Sequence, residues 1–208
     1  MSTRFLLFAA SVLMMSGCGR GDDASPRPHA QEPTAAPSSN SVDTVLLWGD
    51  THLHTNYSPD AYSLLTTTAD PDTAYRFAKG LPVIADVSRS RVQIDTPLDF
   101  LVVTDHAEFM GIIPEIHAGN PLLLETELGA RYKAMLDQGK GDEVFFEVLG
   151  LANSNPAVLA PLNADAVRSS VWESIVDAAE RHNDPGKFSA FVGWEWSSLP
   201  GGRNLHRI

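Results

Sequence analysis

Residues 97–106 of the chain read PLDFLVVTDH, and this stretch decides the fold class. From Leu98 to Thr104 it is almost unbroken in apolar and β-branched residues, a pattern typical of a strand buried on both faces of a parallel sheet. The strand runs directly into Asp105 and His106, at the end where parallel sheets present their ligand-binding groups. The stretch therefore predicts an α/β fold with polar chemistry at the carboxyl end of its sheet.

Further strands and helices are predicted on both sides of this central strand. A capping aspartate, a proline at the first helical position and a terminal glycine predict a helix over residues 70–80. A second helix, capped by Ser170, is amphipathic and leads into another apolar strand. The order strand, helix, strand, helix, strand indicates an α/β fold. The predicted elements are strands 45–48, 97–104 and 188–196, and helices 70–80, 122–138, 143–149 and 170–181.

The first 17 residues have the pattern of a secretory signal peptide, with Arg4 before a short apolar run at residues 5–15. That run is too short to span a bilayer, because a transmembrane helix needs about 20 apolar residues. The sequence MSGC at 15–18 resembles the bacterial lipobox, which predicts lipidation of Cys18. Since no aspartate follows Cys18, the same resemblance indicates an outer-membrane lipoprotein that faces the periplasm.

The composition changes at two points along the chain. Residues 18–43 are rich in Pro, Ser, Ala, Asp and Gln and predict a disordered tether, in which His29 is a solvated bystander. Apolar runs begin at Thr44, and we expect one folded domain over residues 44–208. No further element follows Asn204–Ile208 to close a sheet, so we expect this sequence to be the N-terminal part of a longer domain.

Net charge and cysteine content narrow the classes of partner and metal site. The formal net charge of -11 argues against a nucleic-acid partner, which normally requires a basic surface. A single cysteine excludes an intrachain disulfide and a thiolate metal cluster. Any metal ion must therefore be held by nitrogen and oxygen atoms.

Histidines and a carboxylate alternate just after the first predicted strand. Asp50, His52 and His54 occupy every second position, so in an extended segment their side chains point to the same side. Imidazole nitrogens and carboxylate oxygens suit zinc, manganese or iron. Two surface histidines after a strand would explain this segment equally well if it stood alone.

Three further segments place metal-binding residue types at or near strand ends. Asp105 and His106 follow the central strand, Glu195 lies near the end of the last predicted strand, and His206 follows a glycine-rich turn. Four independent segments with this placement predict a metal site. The candidate ligands are Asp50, His52, His54, Asp105, His106, Glu195 and His206. The candidate catalytic residues are Asp105 and Glu195, and the candidate substrate contacts are Tyr57, Arg203 and Asn204.

Three motifs together resemble the DUF3604 family, which is related to the polymerase and histidinol phosphatase (PHP) domains. They are WGDTHLHT at 48–55, LDFLVVTDHAE at 98–108, and GWEWSS at 193–198 with NLHR at 204–207. The resemblance implies a distorted (β/α)7-type barrel, here its N-terminal half, with two or three metal ions at the strand ends. PHP relatives take further ligands from the C-terminal half. The ligands that it implies here are His52, His54, His106 and Glu195, with His206 as a further ligand and Asp50 or Asp105 in a direct or supporting role.

The function that these patterns favour is metal-dependent hydrolysis of phosphate or related small-molecule esters, with two divalent ions activating water and polarising an ester oxygen. An amidohydrolase barrel also begins with His-x-His, but it needs a later lysine and a closing aspartate for which no matching context is found. The alternative from another class is a lipid-anchored protein that binds metal or another ligand without catalysis. Substrate and oligomeric state stay open.

Overall fold

The computed structural model describes residues 44–198, 200 and 203–208. The predicted signal peptide at 1–17, the lipidation of Cys18 and the linker at 18–43 lie outside the described residues. Val45–Ile208 forms one compact unit. In the part of the chain that is described, no helix combines the length and the apolar character needed to cross a membrane.

The described residues contain helices and strands in alternation. The strands are β1 (Gly49–Leu53), β2 (Val83–Ile84), β3 (Arg91–Val92), β4 (Phe100–Val103), β5 (Ser189–Val192), β6 (Trp196–Ser198) and β7 (Leu205–Arg207). The helices are α1 (Pro59–Ser63), α2 (Pro71–Ala78), α3 (Ile112–Ala118), α4 (Pro121–Leu124), α5 (Glu127–Leu136), α6 (Gly141–Ser154), a 3-10 helix (Pro156–Leu162) and α7 (Asp165–His182).

The central sheet is parallel, as the sequence predicts. Its strand order is β1-β4-β5, and both pairings are parallel. Two antiparallel hairpins, β2-β3 and β6-β7, lie outside it. The α/β fold class is therefore confirmed. Within the described residues the sheet is open and does not close into the expected barrel.

Two predicted elements follow from local signals alone. The side chain of Asp70 accepts a hydrogen bond of 2.8 Å from the amide of Thr73 and so caps α2, which begins at Pro71. Beyond the helix, Gly80 has a φ of 71°, a left-handed conformation that favours glycine. The central strand is confirmed as β4, but it covers only Phe100–Val103 and its burial alternates: Leu101 and Val103 are fully enclosed, whereas Phe100 and Val102 are partly exposed.

The first strand was predicted at the wrong residues. Residues 45–48 are exposed, and β1 begins at Gly49. The register explains the shift, because Gly49 pairs with Phe100, the first residue of β4, and residues 45–48 therefore precede the paired part of the sheet. A side chain at position 49 would overlap Phe100, since an added Cβ would lie 2.4 Å from that ring.

The predicted strand 188–196 is divided into β5 and β6. The break lies at Gly193, where an added Cβ would come within 2.6 Å of the Val102 side chain. Trp194 and Trp196 are about half exposed, at 51% and 47%, while Glu195 between them is buried. Glu195 pairs with His106 beside β4 through an isolated parallel bridge.

The helix boundaries differ from the prediction in three places. The helix predicted at 143–149 is α6, which runs from Gly141 to Ser154. α7 begins at Asp165, so Ser170 lies inside the helix and is not its cap. The predicted helix 122–138 is two helices, α4 and α5, because the side chain of Thr126 accepts a hydrogen bond from the amide of Gly129 and starts a new helix there.

Two groups of buried apolar side chains form the core. One group packs the face of the sheet against α2 and α7, and its buried members are Tyr75, Ala78, Leu101, Val103, Ala178, Ala179 and Phe188. The other lies among the helices between β4 and β5 and includes Ile113, Ile116, Tyr132, Val144, Leu162 and Ile175. The sheet thus has helices on one face, and its carboxyl end leads into the site.

Candidate metal centre

The carboxyl ends of β4 and β5 bring distant candidate residues side by side. Hydrogen bonding continues past the strands: the amide of Glu195 donates to the carbonyl of Asp105 (3.0 Å), and the amide of Ala107 donates to the carbonyl of Glu195 (2.7 Å). This isolated parallel bridge holds His106 next to Glu195. Backbone pairing therefore fixes the centre of the site.

The carboxylate of Glu195 lies among four histidines. Its Oε2 is 2.7 Å from His54 Nε2, 3.2 Å from His52 Nε2 and 3.5 Å from His106 Nδ1. Its Oε1 is 2.7 Å from His206 Nδ1. Only 2% of the Glu195 side chain is exposed. A buried carboxylate needs partners of this kind, since unpaired burial of the charge would be costly.

Asp60 is a site residue that the sequence analysis missed. It lies on the short helix α1, and Ser58 Oγ and the amide of Ala61 each donate a 2.6 Å hydrogen bond to its Oδ1. His54 Nδ1 is 3.3 Å from either carboxylate oxygen, and His106 Nε2 is 3.6 Å from Oδ2. Its one signal in the sequence is an acidic residue soon after the His-x-His pair.

Ser197 connects two of the histidines. Its hydroxyl is 2.9 Å from His106 Nδ1 and 3.1 Å from His206 Nδ1. Its amide donates to Glu108 Oε1 at 3.1 Å, and it pairs with His206 across the β6-β7 hairpin. His206 was expected on a flexible turn but belongs to β7, so the hairpin sets its position.

The pKa shifts in the site follow from burial and from these contacts. Burial opposes ionisation of Asp60, but hydrogen bonds from His106, His54 and Ser58 outweigh it and hold the pKa of Asp60 well below its usual range. The pKa of Glu195 is likewise lowered, because the nearby histidines outweigh its burial. Burial alone would lower the pKa of His54, yet Asp60 and Glu195 raise it. Both carboxylates are therefore held as anions.

The donor atoms fall into three overlapping groups that can hold a metal ion. In each group, one ligand atom from every residue lies within 4.8 Å of the others. The groups are His52, His54 and Glu195; His54, Asp60 and His106; and His106, Glu195 and His206. Imidazole nitrogens and carboxylate oxygens in this proportion suit zinc, manganese or iron, so the residues present fit a divalent metal.

Two candidate ligands, Asp50 and Asp105, lie outside these groups. The pairing register of β1 shifts between Asp50 and Leu53, which breaks the expected alternation, and Asp50 belongs to none of the three donor groups. Its Oδ1 accepts from the amide of His52 at 2.9 Å. The structure thus gives Asp50 a local role beside the site.

Asp105 is fully buried behind the site. Both of its carboxylate oxygens accept hydrogen bonds from Thr55, one from the amide (2.5 Å) and one from the hydroxyl (2.7 Å). Burial raises its pKa even though these bonds oppose the shift. Because both of its oxygens accept hydrogen bonds from the neighbour of His54, Asp105 has contacts suited to positioning that segment, and its catalytic and ligand roles stay predictions.

The predicted substrate residues occupy different places. Asn204 lines a cavity beside the histidines, and Arg203 is an exposed neighbour that does not line it. Tyr57 packs against the helical core, where burial raises the pKa of its hydroxyl. Two histidines that received no role lie elsewhere: His117 contacts the hydroxyl of Tyr62, and His182 contacts Asp72.

Comparison with known families agrees with the motifs. A family model described as "Protein of unknown function (DUF3604)" matches residues 41–208, so the chain belongs to this family. Searches of curated proteins and of solved structures gave no match.

Proposed function

We propose that this DUF3604 protein is a metal-dependent hydrolase of phosphate or related esters of a small molecule. The observation that carries the proposal is the orientation of Glu195. Its Oε2 faces His52 and His54, with His106 Nδ1 farther away at 3.5 Å, while its Oε1 faces His206. A carboxylate whose two oxygens face separate histidines is suited to bridging two ions, as in two-metal hydrolytic sites.

The chemistry of imidazole favours two ions. A neutral imidazole has one nitrogen lone pair for a metal, so His54 and His106 can each serve one ion at a time. The two donor groups that share no histidine are His52, His54 and Glu195, and His106, Glu195 and His206. These residues would hold the ions, which we propose are zinc, manganese or iron.

The remaining polar groups would orient these ligands. A proton on His54 Nδ1 is held by Asp60, 3.3 Å away, which leaves the lone pair of Nε2 for a metal ion. The Ser197 hydroxyl lies within 3.1 Å of Nδ1 of both His106 and His206 and can donate its one proton to either ring. Metal ions bound here would lower the pKa of water and neutralise charge that develops on the ester. The residues of the chain would hold the metal ligands in fixed, partly buried positions.

The test compares metal content and ester hydrolysis in matched histidine variants. The protein is stripped with a chelator, reloaded with Mn²⁺ or Zn²⁺, and assayed with phosphate mono- and diesters. His52→Ala or His54→Ala should lower bound metal and rate together. His117→Ala and His29→Ala should change neither, because His117 lies outside the site and His29 lies in the predicted linker. Metal binding without hydrolysis of any ester would refute the hydrolase and support the non-catalytic alternative.

The finer fold and the location that we propose come from the resemblance and the N-terminal sequence. The sheet face opposite α2 and α7 carries Phe100, Val102 and Phe191, as the apolar interior of a PHP-like barrel would. The lipobox supports anchoring through Cys18, with the domain in the periplasm. Mass spectrometry of the mature N-terminus would detect diacylglycerol on Cys18, and an unmodified Cys18 would refute this anchoring.

A further inference from the structure

A cavity of about 260 Å³ opens directly beside the histidines. Asp60, His106 and His206 form one end of it. The other end is formed by α6, whose predicted segment received no role from the sequence. A ligand in this cavity would touch the metal-binding residues and α6 at the same time.

The α6 wall is an apolar stripe at regular helical spacing. Phe145, Val148, Leu149 and Ala152 stand at positions i, i+3, i+4 and i+7 and all line the cavity. Phe109 lines it as well, and its φ of 63° is unusual for a residue other than glycine. Backbone strain of this kind is often kept at binding sites. Aromatic side chains thus border the apolar end.

Charge in the cavity restricts what else a ligand can carry. None of the described residues that line it is a lysine or arginine. Its carboxylates are Asp60, beside the histidines, and Glu108, which accepts a hydrogen bond from Ser197. A second anionic group on the ligand would therefore find no cation at the α6 end.

We infer that the site takes monoesters of aryl alcohols, with the anionic ester group at the histidines and one aromatic ring against α6. The inference rests on the proposed hydrolase and specifies its substrate class. The cavity lies below the ~300–1,000 Å³ of pockets for drug-sized ligands, which leaves room for a single ring but not for a nucleoside. Nucleotides are disfavoured because they exceed this volume, and both nucleotides and polyphosphates are disfavoured because their further charges would find no cation at the α6 end.

Binding of non-hydrolysable phosphonates tests this substrate class. Calorimetry on the Mn²⁺-loaded protein would compare phenylphosphonate with methylphosphonate, and we expect at least about tenfold tighter binding of phenylphosphonate. Phe145→Ala should remove about tenfold of that affinity and leave methylphosphonate unchanged. Phe146→Ala is the matched control, because Phe146 is the next residue on α6, is 63% exposed and does not line the cavity. Equal binding of the two phosphonates, or equal losses in both variants, would overturn the inference.

A second variant keeps the test decisive if Phe145→Ala does not fold. Ala152 is exposed at the end of the wall, so Ala152→Lys adds a cation with little demand on packing. It should tighten binding of phosphonoacetate, which has two anionic groups, and weaken binding of phenylphosphonate. If Ala152→Lys changes neither affinity, the ring does not lie against α6 and the inference is wrong.

The outcomes for substrate class and for hydrolysis are separable, because metal content is measured in every variant. A preference for phenylphosphonate that depends on Phe145, without hydrolysis of any ester, would uphold the binding class and refute the hydrolase. Hydrolysis of methyl and phenyl phosphate with equal KM, unaffected by Phe145→Ala, would uphold the hydrolase and refute the aryl preference.

Discussion

Replacing Glu195 by glutamine tests whether one carboxylate organises the whole site. The substitution keeps the size of a side chain that is 2% exposed but removes its charge. Glu195 belongs to two of the three donor groups and is the only carboxylate in each of those two. Glu195→Gln should therefore weaken binding of both proposed ions, whereas loss of an outer histidine would weaken one.

The expected size of the effect follows from ligand chemistry. Changing a group that only supports a metal ligand typically costs about 10–100-fold in affinity. Loss of a direct anionic donor should cost at least the upper end of that range, so we expect at least about 100-fold weaker Mn²⁺ or Zn²⁺ binding. The pKa of His54 should also fall, because Glu195 is one of the groups that raise it.

Metal titration by calorimetry, with elemental analysis of the purified protein, measures this effect. Glu147→Gln is the matched control, because that carboxylate pairs with Arg131 on the helical side and belongs to none of the donor groups. The control should bind metal like the wild type. If Glu195→Gln also binds like the wild type, the cluster around Glu195 is not a metal site and the reasoning fails.

Three further changes test the supporting structure. Asp105→Asn should lower the free energy of unfolding by about 1–3 kcal/mol, because Asp105 accepts two hydrogen bonds from Thr55. It should weaken metal binding less than Glu195→Gln does. Complete loss of metal with unchanged stability would make Asp105 a ligand. The hydrogen bond from His182 lowers the pKa of Asp72, so the stabilisation from this pair is lost as the pH falls through that lowered pKa. Asp72→Asn should therefore make the melting temperature fall less steeply below about pH 4. An unchanged fall of melting temperature in acid would contradict this. Ile113→Ala, at a fully buried position, should cost about 2–5 kcal/mol and lower the melting temperature by roughly 5–15 °C without changing metal per folded protein.

The sequence predicts the parts of the fold that local signals determine. The cap at Asp70 and the apolar run of β4 act over a few residues, and both elements lie where they were expected. The first strand was placed too early because an apolar run shows that a segment favours burial but not where its partner begins. The pairing of Gly49 with Phe100 sets that start, and no local pattern contains it.

The metal site could be predicted only in part, because local sequence patterns do not contain the pairing of distant segments. The histidines and Glu195 were recognised because they lie at or near strand ends, where parallel sheets gather such residues. Asp60 was missed because only the return of β4 brings His106 within 3.6 Å of its carboxylate. Asp50 was included because regular alternation was assumed, but the register of β1 shifts between Asp50 and Leu53, and Asp50 belongs to none of the three donor groups.

The most direct test of the account is to locate metal ions by anomalous diffraction from crystals of the Mn²⁺-loaded protein. We expect two anomalous peaks on either side of the Glu195 carboxylate, one near His52 and His54 and the other near His106 and His206. Crystals of Glu195→Gln prepared in the same way should lose both peaks. Manganese bound elsewhere, or no peak among these residues at saturating metal, would contradict the central claim that this cluster is a two-metal site.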